Sequence, residues 1–155
     1  MKNWKFLSLF LVVFTFGILS SCTDEDDNQV ITTVDPSPVI NTVNNGSWFV
    51  SLYNDSGTIE TSNFSGYSFV FGPNNVVTAT NANTSVSGSW TVTSDTSLDD
   101  STNYDLDFNL SFVTPVNFSD LSDDWNIISY TSTKIELIHV SGGNGGTDYL
   151  TFQKN

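Results

Sequence analysis

The chain has 155 residues, 38% hydrophobic and 14% aromatic, enough for one modest domain with a real core and too few for two. Its 17 acids against 4 basic residues give a net charge of −13, and only Lys134 and Lys154 lie beyond the first apolar run. Phosphate backbones and anionic headgroups need clustered Lys or Arg, so this balance excludes nucleic-acid binding and fits a well-solvated exterior.

Lys2 and Lys5 precede FLSLFLVVFTFGIL, an apolar run too short to span a membrane comfortably, and the small residues Ser20 and Ser21 follow it. That order predicts a secretory signal over residues 1–21. Leu19-Ser20-Ser21-Cys22 resembles a bacterial lipobox. The resemblance implies that the signal is cut before Cys22, that its thiol receives a diacylglycerol and that the lipid holds the protein in the membrane. A free exported thiol would be an odd leftover, and a thioether removes it. Residues 22–45 carry Asp24, Glu25, Asp26 and Asp27 and then VDPSPVI, with no apolar periodicity, and read as a flexible acidic tether. Acids directly after the cysteine also resemble the surface-export signal of Bacteroidetes lipoproteins. A hydrated spacer is the other reading, so the expected location is the outer membrane, on its periplasmic or cell-surface face. The tether lacks the loop glycine and spaced ligands of a calcium loop.

From Ser47 onward the apolar pattern has period two, the mark of strands with one buried face. Trp48, Val50 and Leu52 alternate, as do Tyr67, Phe69 and Phe71, and then Val86, Gly88, Trp90 and Val92. In Tyr104–Phe112 every even position is large and apolar. Weaker strands cover residues 75–82, 125–131, 134–140 and 147–153, making about eight in all. Gly57, Gly72-Pro73-Asn74-Asn75, Asn81 to Asn83, Thr96 to Ser101 and Gly142 to Gly146 supply the reversals, so neighbouring strands should run antiparallel. One short helix is expected near 116–124, capped by Asn117 with Asp120 in its first turn.

Such an all-β chain can hide its strand edges in an up-and-down barrel or in a β-sandwich, and alternation alone does not choose. Gly46-Ser47-Trp48 resembles the Gly-x-Trp that opens lipocalins, and the motif recurs as Gly88-Ser89-Trp90. Together with the order of the other strands, residues 46–155 are similar to the lipocalin-like domains of small Bacteroidetes lipoproteins. The resemblance implies an eight-stranded antiparallel barrel. The chain departs from the pattern in lacking both the cysteine pair and the basic residue that often closes over the first tryptophan.

No residue suggests catalysis, and no enzyme activity, metal or cofactor is expected. His139 continues the face of Ile135 and Leu137 without an evident partner and reads as structural. With no second histidine and no free thiol, a zinc site of nitrogen and sulfur ligands is not expected, and there is no Gly-x-Ser-x-Gly turn. Asp99-Asp100, Asp105 with Asp107, and Asp123-Asp124 read as solvated acids, with weak calcium binding as the remaining reading. The glycines at 142–146 lack the lysine and helix of a phosphate loop and read as a hairpin tip.

The aromatic residues are the one rich resource. Trp48, Tyr67, Phe69, Phe71, Trp90, Tyr104, Phe108, Phe112, Trp125 and Phe152 are expected to face the barrel interior, either filling it or lining a pocket for a small apolar ligand. Two functions follow: a lipid-anchored binding protein for such a ligand, or a filled module that contacts a protein or glycan. Tyr53, Tyr130 and Tyr149 lie out of phase with the buried face and form a candidate surface row. Asp100-Ser101-Thr102 resembles the short O-glycosylation acceptor of Bacteroidetes.

Overall fold

The computed structural model describes residues 34–94, 106–143 and 145–155. The signal, Cys22, the acids after it, Asp99-Asp100, Asp100-Ser101-Thr102, Tyr104 and Asp105 lie outside the described residues. The chain begins with helix α1 (Ser37–Val43), followed by β1 (Trp48–Asp55), the two-residue β2 (Thr58–Ile59) and a 3-10 turn (Thr61–Phe64). Next come β3 (Ser68–Phe71), β4 (Val76–Thr80), β5 (Ser85–Ser94) and β6 (Leu106–Ser111). Helix α2 (Val116–Ser119) leads to β7 (Asp124–Tyr130), β8 (Lys134–Val140) and β9 (Thr147–Lys154).

Each strand from β3 to β9 pairs antiparallel with the next, β3 also pairs with β1, and β1 pairs with β9. The pairing of Trp48 with Lys154 and Val50 with Phe152 closes the sheet, so β1 and β3 to β9 form an eight-stranded up-and-down barrel and not a sandwich. Closure removes the exposed edges that an open sheet would present to other chains. β2 is only the return arm of a hairpin on the end of β1.

Period-two patterning sets the interior. On β6, Leu106, Phe108 and Leu110 are buried and lie opposite Ser94, Val92 and Trp90 of β5. Gly88 sits where a β-carbon would lie 2.6 Å from the ring of Phe112, so the missing side chain makes room for that ring. Gly46 has φ +99, in the region glycine favours, and its bare α-carbon leaves space for the stem of Lys154. The Lys154 ammonium lies 5.5 Å from the centroid of the Trp48 ring. The first tryptophan is therefore covered by a base after all, one supplied by the end of the chain.

Three sequence expectations need correction. The tether reading of residues 22–45 fails for its last part, because Ser37–Val43 is a helix with Val39 and Val43 fully buried in the core. The Ser37 amide donates to the Asp35 carboxylate at its start, and the Val43 carbonyl accepts the indole N–H of Trp48 at 2.9 Å. Tyr53 does not join a surface row. A bulge between Val50 and Leu52 shifts the register by one residue and turns Tyr53 inward, where it is only 3% exposed. Its hydroxyl donates to the Asp120 carbonyl, and burial pushes its phenol well above the usual range. Finally, α2 is preceded by Pro115 and ends before Asp120, so Asn117 lies inside the helix and not at its cap.

Candidate functional site

Of the residues expected to face the interior, all but Tyr104 are described. Trp48, Phe69, Phe71, Trp90, Phe108, Phe112, Trp125 and Phe152 are all buried, and Tyr67 packs half-buried against them. Their rings touch one another directly. Phe71 meets Trp90, Phe108 and Phe152 at centroid distances of 5.4, 5.5 and 5.4 Å, and Phe69 meets Phe152 at 5.4 Å. All four pairs are edge-to-face, the arrangement that lets the positive ring edge meet the negative ring face.

Both ends of the barrel carry a cork. At the tryptophan end, where β1 starts, α1 inserts Val39 and Val43. At the opposite, histidine end, the 3-10 turn and α2 insert Phe64 and Phe118, and Leu121 follows them. Phe118 lies 5.5 Å from Phe64, 4.9 Å from Tyr67 and 5.3 Å from Phe112. Clefts of about 360 Å³ open to solvent, one beside the 3-10 turn at Phe49, Ser51 and Thr61, another between α1 and the Gly72–Asn75 turn, and a third at Gly66, Ser68 and Asn155.

Beside the cork at the histidine end, acidic side chains converge on the one histidine. His139 and Asp148 are register partners on β8 and β9, each two residues beyond the inward-facing Leu137 or before Leu150. Both therefore belong to the last inward-facing layer. Asp123 reaches them from the segment before β7, which is held in place by its neighbours: the Leu110 amide donates to the Asp123 carbonyl, and the Ser122 hydroxyl bridges the amide and carbonyl of Phe112.

Nδ1 of His139 lies 2.7 Å from Oδ2 of Asp123 and 3.8 Å from Oδ2 of Asp148, and its Nε2 lies 4.0 Å from Oδ1 of Asp124. The Asp123 contact is short but off the line of a ring N–H, so Nδ1 is buried without a hydrogen bond. The second oxygen of each inner carboxylate is occupied. Asp123 Oδ1 accepts the Asp124 amide, and Asp148 Oδ1 accepts both the amide and hydroxyl of Ser56. The imidazole faces the indole of Trp125 at 6.2 Å, and that indole donates to the Leu121 carbonyl. Burial, with the adjacent Asp124, holds the Asp123 carboxyl above the ordinary range, and His139 opposes that shift.

Imidazole and carboxylate are the donor types that bind divalent cations, and His139, Asp123 and Asp124 each offer a donor atom within 4.8 Å of the others. Sequence reading left His139 without a partner because its partners arrive through strand register. A signal was present: Asp148 shares the phase of Leu150 and Phe152, so an acid faces inward there.

Comparison with protein-family models and with curated proteins finds no match. Among solved structures, the chain is similar to a DUF4847 family protein from Bacteroides vulgatus, with 14% identity, a TM-score of 0.44, and coverage of 76% of this chain and 97% of that one.

Proposed function

We propose that the protein is an exported lipoprotein, anchored in the outer membrane through Cys22, whose lipocalin-like domain is a filled module that contacts a protein or glycan. The observation that carries this reading is the packed interior: aromatic rings meet across it, and apolar side chains cork both ends. Small barrels are readily filled by their own side chains, and this one buries large rings from most of its strands together with aliphatic side chains. A carrier of a small apolar molecule needs an opening and a void, and the rings and corks take up space that such a molecule would use. The acidic surface favours solubility and a partner that is not anionic.

Two measurements test the two halves of the reading. Cys22→Ser should move the protein from the membrane fraction to the soluble fraction, and unchanged membrane retention would refute the lipid anchor. Titration with a fatty acid, an isoprenoid or haem should leave tryptophan fluorescence without saturable quenching. Saturable quenching at micromolar ligand would instead establish a pocket.

A further inference from the structure

We propose that His139, Asp123 and Asp148, with Asp124 at their open side, form a divalent-cation site of mixed nitrogen and oxygen donors, suited to zinc-class ions over calcium. The inference is independent of lipidation and of the filled interior.

Four observations carry it. The donors sit on rigid elements: His139 and Asp148 are adjacent across β8 and β9, and Asp123 is pinned to β6 through Leu110. Each inner carboxylate has one oxygen fixed by a backbone amide while the other is aimed at the imidazole. Such outer hydrogen bonds are what orient the ligands of metal sites. Nδ1 is a buried polar atom with no hydrogen bond, a condition that an ion or water ordinarily relieves. Finally, three carboxylates surround a single imidazole, and no ammonium among the described residues compensates them: Lys134 pairs with Glu136 and Lys154 lies over Trp48, both at the tryptophan end.

Geometry and donor type select the ion. Ligands about 2.1 Å from a tetrahedral cation stand about 3.4 Å apart. Around Nδ1 the separations of 2.7 Å to Asp123 and 3.8 Å to Asp148 bracket that value, so small side-chain adjustments would admit an ion there. Asp124 lies 4.0 Å from the other ring nitrogen, Nε2, and would reach that ion through water. Calcium takes 6 to 8 oxygen ligands, and an imidazole is a poor one. Zinc accepts histidine nitrogen and aspartate oxygen together, with water completing the shell. Side-chain exposure of 23% for His139, 16% for Asp148 and 74% for Asp124 gives the ion an inner wall and an open side.

The test uses the full-length chain in detergent, stripped with chelator and titrated calorimetrically with zinc chloride and, separately, calcium chloride. The wild type should take up one saturable equivalent of zinc at micromolar concentration and give no saturable heat with calcium over the same range. His139→Ala and Asp148→Asn should each weaken zinc binding at least ten-fold, whereas Asp35→Asn, at the other end of the barrel, should not. His139→Gln keeps the side chain's bulk and serves if the alanine variant fails to fold. Absence of saturable zinc binding would overturn the proposal, leaving the cluster a proton-linked ion pair. Unchanged binding in the His139 and Asp148 variants would overturn it by placing the ion elsewhere, and calcium binding as tight as zinc would overturn the choice of ion.

Discussion

The two ends of the barrel solve one problem in different ways. At the tryptophan end, α1 buries two valines, Trp48 donates to the helix, and Lys154 lies over its ring, so the inner layer there is apolar and sealed. At the histidine end the cork is aromatic, and beside it the inner layer turns polar, with one imidazole among carboxylates. Side chains that keep charge at the rim of an apolar interior forgo packing that apolar residues of the same size would provide. One end is therefore closed by apolar packing, and the other keeps a polar cluster beside its apolar cork.

Breaking the aromatic cork should have the largest effect. Phe118 is fully buried among Phe64, Tyr67 and Phe112, so Phe118→Ala should cost about 3 to 5 kcal/mol in chemical denaturation and open the interior to a hydrophobic dye. A loss below about 1 kcal/mol would mean that the histidine end is not sealed by α2. At the other end, Val43→Ala removes two buried methyl groups and should cost about 2 kcal/mol. If stability were unchanged, α1 would belong to the tether and not to the core. Lys154→Gln should weaken the fold by about 0.5 to 1 kcal/mol through loss of the cation over Trp48, with no change at the histidine end.

The same contrast explains what the sequence discloses. Alternation identifies the strands because a barrel strand has one wet face and one dry face, and Leu106, Phe108 and Leu110 follow it without exception. The barrel closure does not follow from alternation, since a sandwich would show the same pattern, and only the order of motifs pointed to it. Helix α1 was legible in principle: Val39 and Val43 stand one helical turn apart, but Pro36 and Pro38 beside them read as linker. Pro38 is tolerated because it lies in the first helical turn, where its missing N–H has no partner to lose. Tyr53 was misread because one extra residue in β1 inverts the phase after it, and nothing in SLY marks a bulge. The cluster at His139 was hidden for a different reason, since its members are joined by register between strands and by a loop anchored on Phe112.

The smallest expected effect concerns the charge at that cluster, and its sign separates the two ends most sharply. The Asp123 carboxyl is held above the ordinary range by burial and by Asp124, so the folded chain holds this proton more tightly than the unfolded chain does. Its protonated form thus favours folding, and that contribution is lost as pH rises from the ordinary carboxylate range, about 4, through the higher folded value. Asp123→Asn keeps the shape without the charge and should flatten this slope, matching the wild type at low pH and gaining on it toward neutrality. Water screens a carboxyl this exposed, so the gain should stay below about 1 kcal/mol. Melting curves taken from pH 4 to 7 in the presence of chelator would show it. Parallel profiles for the two proteins would mean that the carboxylate is fully offset by His139. Adding zinc to the wild type should erase the same slope, because a bound cation stabilises the ionised carboxylate that the fold alone disfavours.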